Sequence, residues 1–554
     1  MVFTPVVRRI ADVTGLDESS VHDAVEVPPS VAHGDYAYPC FDLAQREQED
    51  PTVLAERLAS QLTDESFERV ESQGPYVNIT VRGRAKLDAA RSPDLPDGSD
   101  TVIVESPSPN TNKPLHVGHA LNMVLGQSIA NILEACGHEV VKENLYNDRG
   151  IHIMKSMVAY QRDGEGATPS SEGVKPDHFV GDYYVQYESL RQEDPSIEDD
   201  ASNLLQAWED GDEATRSLWA TMRDWCLQGI KQTIGDYGVT VDTDRFESDI
   251  YDEGRRIVEE GLDNGVFERA DDGSVVADLS DEGLGTKHVL RSDGTTVYLT
   301  QDLGLARRRA TDVSPDRIVH VVGKEQEYHF NCLFTLLDRL GFDFADTLFH
   351  RSYGHVRLPE GAMSSREGTA VHADTIREDM VERAEDEIKS RHDLGEEAAR
   401  QRAESVGMAA LKFYLLRTDP KHDITFDPEE SLSFTGETGP YVQYTYARIQ
   451  SLLDDAGGGD VEDGDLLVED EERRVLRLLL QYAERLQRSS ETYDPSIIAN
   501  YVLQLAQAFN EFYHAHTVIG AGDVEGARIA LCRVVADRVR TCLGLLGIDA
   551  VEEM

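Results

Sequence analysis

The sequence predicts an α/β protein built on a doubly wound parallel sheet of Rossmann type, preceded by a small α+β domain and followed by an α-helical bundle. Three observations carry this. Short β-branched runs alternate with helical periodicity between residues 101 and 358, the pattern of parallel strands joined by crossover helices. Beyond about residue 376 strand signals fade and apolar residues recur at helical spacing. Residues 91–100, Arg-Ser-Pro-Asp-Leu-Pro-Asp-Gly-Ser-Asp, read as a linker after the first unit. The expected domains are therefore 1–98, 99–375 and 376–554, the middle one interrupted by an acidic, Trp-containing helical insert at about 160–235.

The elements follow in order. Residues 1–95 hold His-Gly-Asp-Tyr-Ala at 33–37, a helical stretch at 53–62 and Gly-Pro-Tyr-Val-Asn-Ile at 74–79. A buried strand at 101–104 leads into a helix over 115–136, with Leu121, Val124, Leu125, Ile132 and Leu133 on one face and Gly137 as its stop. Strands are expected at 139–146, 296–300, 317–322 and 348–358, with helices from Leu303 and around 330–340. The last third reads as helices at 404–417, 471–488, 495–516 and 524–547, with a solvated acidic loop at 454–465. Ligands of such a sheet belong at the carboxyl ends of its strands.

At 554 residues the chain is too long for a single core. It shows no secretory signal and no long uncharged apolar run, so it is expected in the cytoplasm and not in a membrane. The six cysteines are scattered without a Cys-x-x-Cys pair, which argues against structural zinc or a disulfide scaffold. Net charge is −51, and only 11 of the 53 basic residues are lysine. Charge of this sign lacks the basic footprint of an ordinary nucleic-acid binder. It fits a cytoplasm at molar salt, where repulsion is screened within about 3 Å and an acidic surface keeps a protein dissolved. Charge therefore neither supports nor excludes a nucleic-acid partner.

The most informative stretch runs from Glu105 to His119: Glu-Ser-Pro-Ser-Pro-Asn-Thr-Asn-Lys-Pro-Leu-His-Val-Gly-His. It places two imidazoles and a lysine in a strand-to-helix turn, at the positive end of a helix dipole. Cations there are unfavourable by up to about 1 kcal/mol, which makes sense if an anion docks among them, as phosphates do at helix N-termini. A second loop, Pro359-Glu-Gly-Ala-Met-Ser-Ser-Arg-Glu-Gly-Thr369, is hydroxyl-rich with one arginine and suits a mobile phosphate clamp, although alone it reads better as an ordinary surface loop. Tyr298-Leu-Thr-Gln-Asp302 and Gly323-Lys-Glu-Gln326 end strands, where helix capping is the plainer reading.

Together these pieces resemble the class I aminoacyl-tRNA synthetases, and specifically the arginyl-tRNA synthetases, across essentially the whole chain. His116-Val-Gly-His119 is similar to the first class I motif, and Ala362-Met-Ser-Ser-Arg366 to a degenerate second one. Ala362 and Ser365 stand where the class usually carries lysines, and Lys113 stands where a lysine compensates in arginyl-tRNA synthetases of this kind. Gly-Asp-Tyr-Ala and Gly-Pro-Tyr-Val-Asn resemble the family's additional N-terminal domain, and Gly439-Pro-Tyr-Val-Gln443 with Phe509-Asn-Glu-Phe-Tyr513 its anticodon-binding bundle.

The resemblance implies two steps: arginine and ATP give arginyl-adenylate, and a tRNA(Arg) 2′-hydroxyl then takes the arginyl group. Lys113, His116 and His119 face the phosphates, Gly118 and Met363 belong to the ATP site, and Ser364, Ser365 and Arg366 close on pyrophosphate. Mg²⁺ arrives with ATP through phosphate oxygens and waters rather than in a protein site. A planar guanidinium calls for carboxylates accepting parallel N–H bonds, and Glu105 and Asp302 match that role, with Tyr298 beside them; Asp302 also reads as a helix N-cap. Asn110 and Gln326 match the residues at the α-amino end, with His116 nearby. Tyr76 and Asn78 match the pair that reads a flipped D-loop adenosine, although Gly-Pro-Tyr-x-Asn also reads as a tight turn. Tyr501, Phe509, Phe512 and Tyr513 have helical spacing and read mostly as bundle core. A monomer and an origin in a halophile complete the expectation. The alternatives are a nucleotidyltransferase with the same His-x-Gly-His turn and a non-catalytic synthetase-like tRNA-binding protein. Length argues against the first, retention of both residue sets against the second.

Overall fold

The computed structural model describes residues 3–164, 166–359, 371–391, 393–456 and 463–553. It divides into two compact units, Met1–Pro96 with Leu432–Met554, and Asp97–Ser431.

The first unit begins with helices α1 (Thr4–Thr14) and α2 (Glu18–Ala24) and a sheet of β1 (Tyr36–Pro39), β2 (Phe67–Gln73) and β3 (Tyr76–Val81). The strands are antiparallel in the order β1-β3-β2. Alternation along β3 turns Val77, Ile79 and Val81 inward against Val6, Ile10, Leu54 and Leu58, and leaves Tyr76 and Asn78 on the other face. Helices α3 (Phe41–Glu47), α4 (Pro51–Gln61) and α5 (Gly83–Arg91) complete this part.

The second unit holds a five-stranded sheet of β4 (Thr101–Glu105), β5 (Glu139–Tyr146), β6 (Thr243–Phe246), β10 (Arg317–Gly323) and β11 (Leu348–Tyr353). Its order is β11-β10-β4-β5-β6 and every neighbouring pair is parallel. The first strand is thus central, and the chain winds away from it in both directions, which opens a crevice at its carboxyl end. Helix α6 (Val117–Ala135) follows β4 and is buried along most of its length. The insert is α7 (Ile151–Asp163), α8 (Pro176–Glu193), α9 (Ile197–Glu209) and α10 (Glu213–Asp236). Then come α11 (Glu247–Asp263), α12 (Tyr298–Asp312) and α13 (Glu327–Arg339).

Three features differ from the sequence reading. Residues 296–300 are not a strand: Thr296 makes one isolated bridge to Leu290, and α12 begins at Tyr298, where the Thr300 hydroxyl accepts the Val297 N–H. β-Branched residues there serve a helix start rather than a ladder. A small antiparallel sheet of β7 (Glu268–Arg269), β8 (Val275–Leu279) and β9 (Gly285–Leu290) was not foreseen. Finally, α14 (Ala373–Arg391) and α15 (Glu396–Leu416) belong to the unit with the parallel sheet, not to the helices after Leu432. Periodicity identifies a helix but not the core it serves; here Gly407 lets α15 approach so closely that a Cβ would lie 2.8 Å from Met380 O.

The first unit resumes with α16 (Gly439–Ala456), α17 (Asp470–Leu480), α18 (Tyr482–Thr492), α19 (Ser496–Ala515) and α20 (Glu525–Leu545). Leu476, Leu486, Val502, Leu505, Phe509, Phe512, Val535 and Leu543 fill their core. The Arg538 guanidinium lies 3.7 Å from the centre of the Tyr482 ring and donates to Ala90 O of α5, tying this bundle to the N-terminal part of the same unit. All six cysteines are buried, and none forms a disulfide among the described residues. Among the described residues no helix is long and apolar enough to cross a membrane.

Candidate active site

The turn after β4 is organised by two imidazoles acting as helix caps. His116 is the N-cap of α6, and its Nδ1 accepts the Gly118 N–H at 3.0 Å; His119 Nδ1 accepts the His116 N–H at 3.1 Å. An imidazole nitrogen that accepts carries no proton, so each neutral ring holds its hydrogen on Nε2 as a donor. Burial pushes His116 down to about 4, with the charge of Lys113 as a further cause. Burial, then His116 and Lys113, hold His119 well below the ordinary range. The two rings lie 3.9 Å apart between centroids. Gly118 is required between them, since a Cβ there would lie 2.9 Å from His116 Cε1.

The sequence reading of three cations at a helix N-terminus is corrected accordingly. The imidazoles are neutral and satisfy the orphan N–H groups of the helix, and the positive charge belongs to Lys113. Its ammonium lies 6.0 Å from the Tyr184 ring centre, and its charge also depresses His152, after burial and Lys155. His152 was not foreseen. Its Nε2 lies 3.2 Å from the Tyr298 hydroxyl.

Glu105 ends β4 with Glu143 directly across on β5 and His320 directly across on β10. Two carboxylates side by side in a sheet interior need a shared cation, and Arg309 of α12 supplies it, donating to Glu105 at 2.5 Å and to Glu143 at 2.7 Å. His320 Nδ1 at 2.8 Å and the Ser108 hydroxyl at 2.9 Å complete the shell of Glu105. Burial alone would raise its pKa, but Arg309 and His320 hold it well below the usual carboxylate range. Glu105 and Asp302 share the wall of a cavity of only about 20 Å³, otherwise lined by groups such as Leu305, Ile318 and Phe330. Glu105, expected at a guanidinium, is thus bonded to Arg309 and His320 through Oε2 and to Ser108 through Oε1. Asp302 is half-buried, one turn after Tyr298 on α12, and accepts from His329 Nε2 at 2.6 Å.

A larger cavity of about 350 Å³ is lined by Arg149, His152, Glu209, Glu247, Arg291, Tyr298 and Gln301. Glu247, the first residue of α11, is 4% exposed. Its Oε1 accepts from Gln301 Nε2 at 2.6 Å, and its Oε2 has no hydrogen-bond partner among the described residues. Burial pushes this carboxyl up to about 8; Arg149 opposes the rise and the charges of Asp148 and Asp302 add to it. A buried carboxyl short of partners favours its neutral form unless a cation is brought beside it, and this one belongs to a residue that lines the cavity. The sequence reading passed over it. The available signal was an acidic residue directly after Asp244-Arg-Phe246, at the carboxyl end of a strand too short to be recognised.

Asn110 is half-buried and bridges in parallel to Asn147, beyond the end of β5. Gln326 is exposed in a short 3₁₀ turn after β10. Asn110 thus lies beside the carboxyl end of β5, and Gln326 follows that of β10, the two strands that flank β4. Met363, Ser364, Ser365 and Arg366 lie outside the described residues.

In the first unit Tyr76 and Asn78 are half-buried neighbours on one face of β3. Phe41, 49% exposed, meets Tyr76 edge-on at 5.7 Å, and Gln73 accepts from Asn78 at 3.3 Å. Aromatic edges and an amide on one open face are suited to stacking and edge-reading of an unpaired base. In the bundle, Tyr501, Phe509 and Phe512 are buried, whereas Tyr513 is half-exposed and shares the Arg448 guanidinium with Tyr444.

Comparison with known proteins follows this division. Residues 89–427 match the family described as tRNA synthetases class I (R), catalytic domain; residues 442–554 match the DALR anticodon binding domain, and residues 4–81 the arginyl tRNA synthetase N terminal domain. The chain is 42% identical to an arginine--tRNA ligase of Treponema pallidum, over 96% of this chain and 94% of that protein. It is 40% identical to the same-named protein of Porphyromonas gingivalis, over 93% and 92%. Among solved structures, an arginyl-tRNA synthetase of Thermus thermophilus superposes over 100% of both chains with a TM-score of 0.84 at 28% identity. One from Plasmodium falciparum gives 0.79 at 17% identity over 100% of both chains, a likeness of fold.

Proposed function

This chain belongs to the arginyl-tRNA synthetase family, and from that premise we propose that it ligates L-arginine to tRNA(Arg), with ATP cleaved to AMP and diphosphate. In the first step an arginine carboxylate oxygen attacks the α-phosphorus of magnesium–ATP, and the bond to the diphosphate breaks. Phosphoryl transfer of this kind needs positioning and charge neutralisation more than covalent help. The Nε2–H groups of His116 and His119 donate to phosphate oxygens, and Lys113 supplies the cation that Ala362 and Ser365 do not. Gly118 and Met363 adjoin the nucleotide, and Ser364, Ser365 and Arg366 close on the diphosphate. In the second step the 2′-hydroxyl of the terminal tRNA adenosine attacks the adenylate carbonyl carbon, the bond to phosphate breaks, and AMP leaves.

The guanidinium is assigned to Glu247 rather than Glu105, with Asp302 adding negative charge nearby and Tyr298 packing beside it. Asn110 and Gln326, with His116, orient the α-amino and carboxylate end. Tyr76 and Asn78, joined by Phe41 and Gln73, receive an unpaired D-loop base. The enzyme acts as a monomer in a cytoplasm at molar salt, in keeping with its net charge of −51.

The observation that carries this reading is the buried, unpartnered Glu247 oxygen, on a residue that lines one cavity with Tyr298, together with a turn whose two imidazoles keep their Nε2–H groups as donors. The test is arginine-dependent ATP–pyrophosphate exchange in molar potassium chloride, with and without tRNA. Exchange with arginine that depends on tRNA is expected. No exchange with any amino acid would overturn the enzyme reading, and exchange with lysine or glutamate in place of arginine would overturn the substrate.

A further inference from the structure

The four residues 371–374 carry a contact that none of the roles above uses. The Val117 N–H donates to Val371 O and the Ala373 N–H to Leu115 O, both at 2.8 Å, which sets His372 opposite His116 in an antiparallel bridge. The next residue, Asp374, is gripped by the helical insert. Lys175 Nζ at 2.7 Å and His178 Nε2 at 2.9 Å reach its Oδ2, and the Thr233 hydroxyl donates to its Oδ1 at 2.8 Å. Tyr237, just beyond α10, donates to Ala373 O at 2.9 Å, and the His178 ring meets His372 edge-on at 4.8 Å. Lys175 also contacts Asp177 at 3.3 Å and Thr233 at 2.5 Å.

Asp177, His178 and Asp374 lie close enough together to resemble a metal site. The Lys175 ammonium already bridges both carboxylates there, so the cluster is charge-balanced by the chain itself. The same insert also supports the motif from its other side: Gly181 of α8 abuts Pro114, where a Cβ would lie 2.6 Å from the proline ring, and the Cys226 thiol of α10 faces Lys113 O at 3.9 Å. The insert therefore holds the Lys113–His116 backbone between a packed helix face and a pinned strand.

We infer that Asp374 is a positioning residue for adenylate formation: by tying residues 371–373 to Lys175, His178 and Thr233, it fixes the backbone of His116 and so the aim of the His116 and His119 Nε2–H donors. The inference rests on the reading of those two imidazoles as phosphate ligands. Asp374 itself touches no substrate. Its effect comes from geometry, and misplacement of a reacting group by about 1 Å costs on the order of a hundredfold in rate.

The test is Asp374→Asn in the full chain, read by amide hydrogen exchange and by arginine-dependent pyrophosphate exchange. Protection of the Val117 and Ala373 amides should fall at least about tenfold, and kcat roughly 10–100-fold, while KM for arginine stays within about twofold. Asp177→Asn alters the same cluster without touching residues 371–373, and should leave Val117 protection and kcat within about threefold. Should Asp374→Asn not fold, Thr233→Val keeps the shape, removes one bond to Oδ1, and should give the same pattern at about 3–10-fold. Wild-type Val117 protection in a folded Asp374 or Thr233 variant, or equal losses in Asp177→Asn, would overturn the inference. His116→Ala with undiminished pyrophosphate exchange would instead overturn the phosphate reading, and would leave the protection result standing.

Discussion

Glu105 and Glu247 are both buried glutamates at the carboxyl edge of one parallel sheet, and they are opposites. Glu105 sits between Glu143 and His320 and is saturated by Arg309, His320 and Ser108. Among the described residues Glu247 has a single donor, Gln301, and an oxygen with none. The first is held ionised far below the ordinary carboxylate range, and the second is pushed up to about 8. Burial alone thus does not distinguish a structural carboxylate from a receiving one. The count of partners does, because a buried charge without a counter-ion gives up its ionisation until a ligand restores it.

The comparison breaks most sharply at Glu105. Glu105→Gln leaves Arg309 with one of its two carboxylates, and uncoupling a buried pair costs about 3–5 kcal/mol; the denaturant midpoint should fall accordingly. Arginine affinity of the folded fraction should change by no more than about threefold, and a selective loss of arginine binding with stability intact would return Glu105 to the substrate. Glu247→Gln should do the reverse. Losing a charge-assisted bond to the guanidinium costs about 2–3 kcal/mol, or roughly 30–150-fold in arginine affinity, with the unfolding midpoint nearly unchanged. Equal loss in both variants would erase the distinction.

The pH dependence sharpens it. Because Glu247 is raised from about 4.5 to about 8, the folded chain holds an extra proton in that window. Its contribution to stability is fully present below the ordinary value and is lost as pH rises through 8. Guanidinium binding needs the ionised form, so arginine affinity should rise by up to about tenfold per pH unit from 6 and level off above 8. His116 runs the other way: with its folded value depressed to about 4, its contribution is present above its ordinary 6.5 and is lost as pH falls through 4. The smallest effect expected is therefore an imidazole resonance of His116 that stays neutral down to about pH 5, and a midpoint near 6.5 would contradict the capping geometry.

Much of this was legible in the sequence. The strand at 101–105, the helix from 117 and the strands at 139–146 and 317–323 announce themselves by β-branched runs and helical periodicity, and the parallel sheet follows from their alternation. The turn with Lys113, His116 and His119 was equally visible, but its charge state was not, since neutral caps and cations are written with the same letters. The ion pair of Glu105 was not legible because Arg309 is 204 residues away on α12, and only the packing of that helix on the sheet brings them together. Glu247 was invisible for the complementary reason: β6 has four residues, half-buried throughout, and carries no periodicity to mark its end as a site. Asp374 was missed because its partners come from the insert, whose sequence reads only as acidic helix.

The central claim, that Glu247 waits protonated for the guanidinium, is tested most directly by calorimetry of arginine binding at pH 7 in buffers of different ionisation enthalpy. With Glu247 raised to about 8 in the free protein, about 0.9 proton should be released for each arginine bound, and almost none by Glu247→Gln. Tight arginine binding without proton release, or the same release from both proteins, would contradict the account.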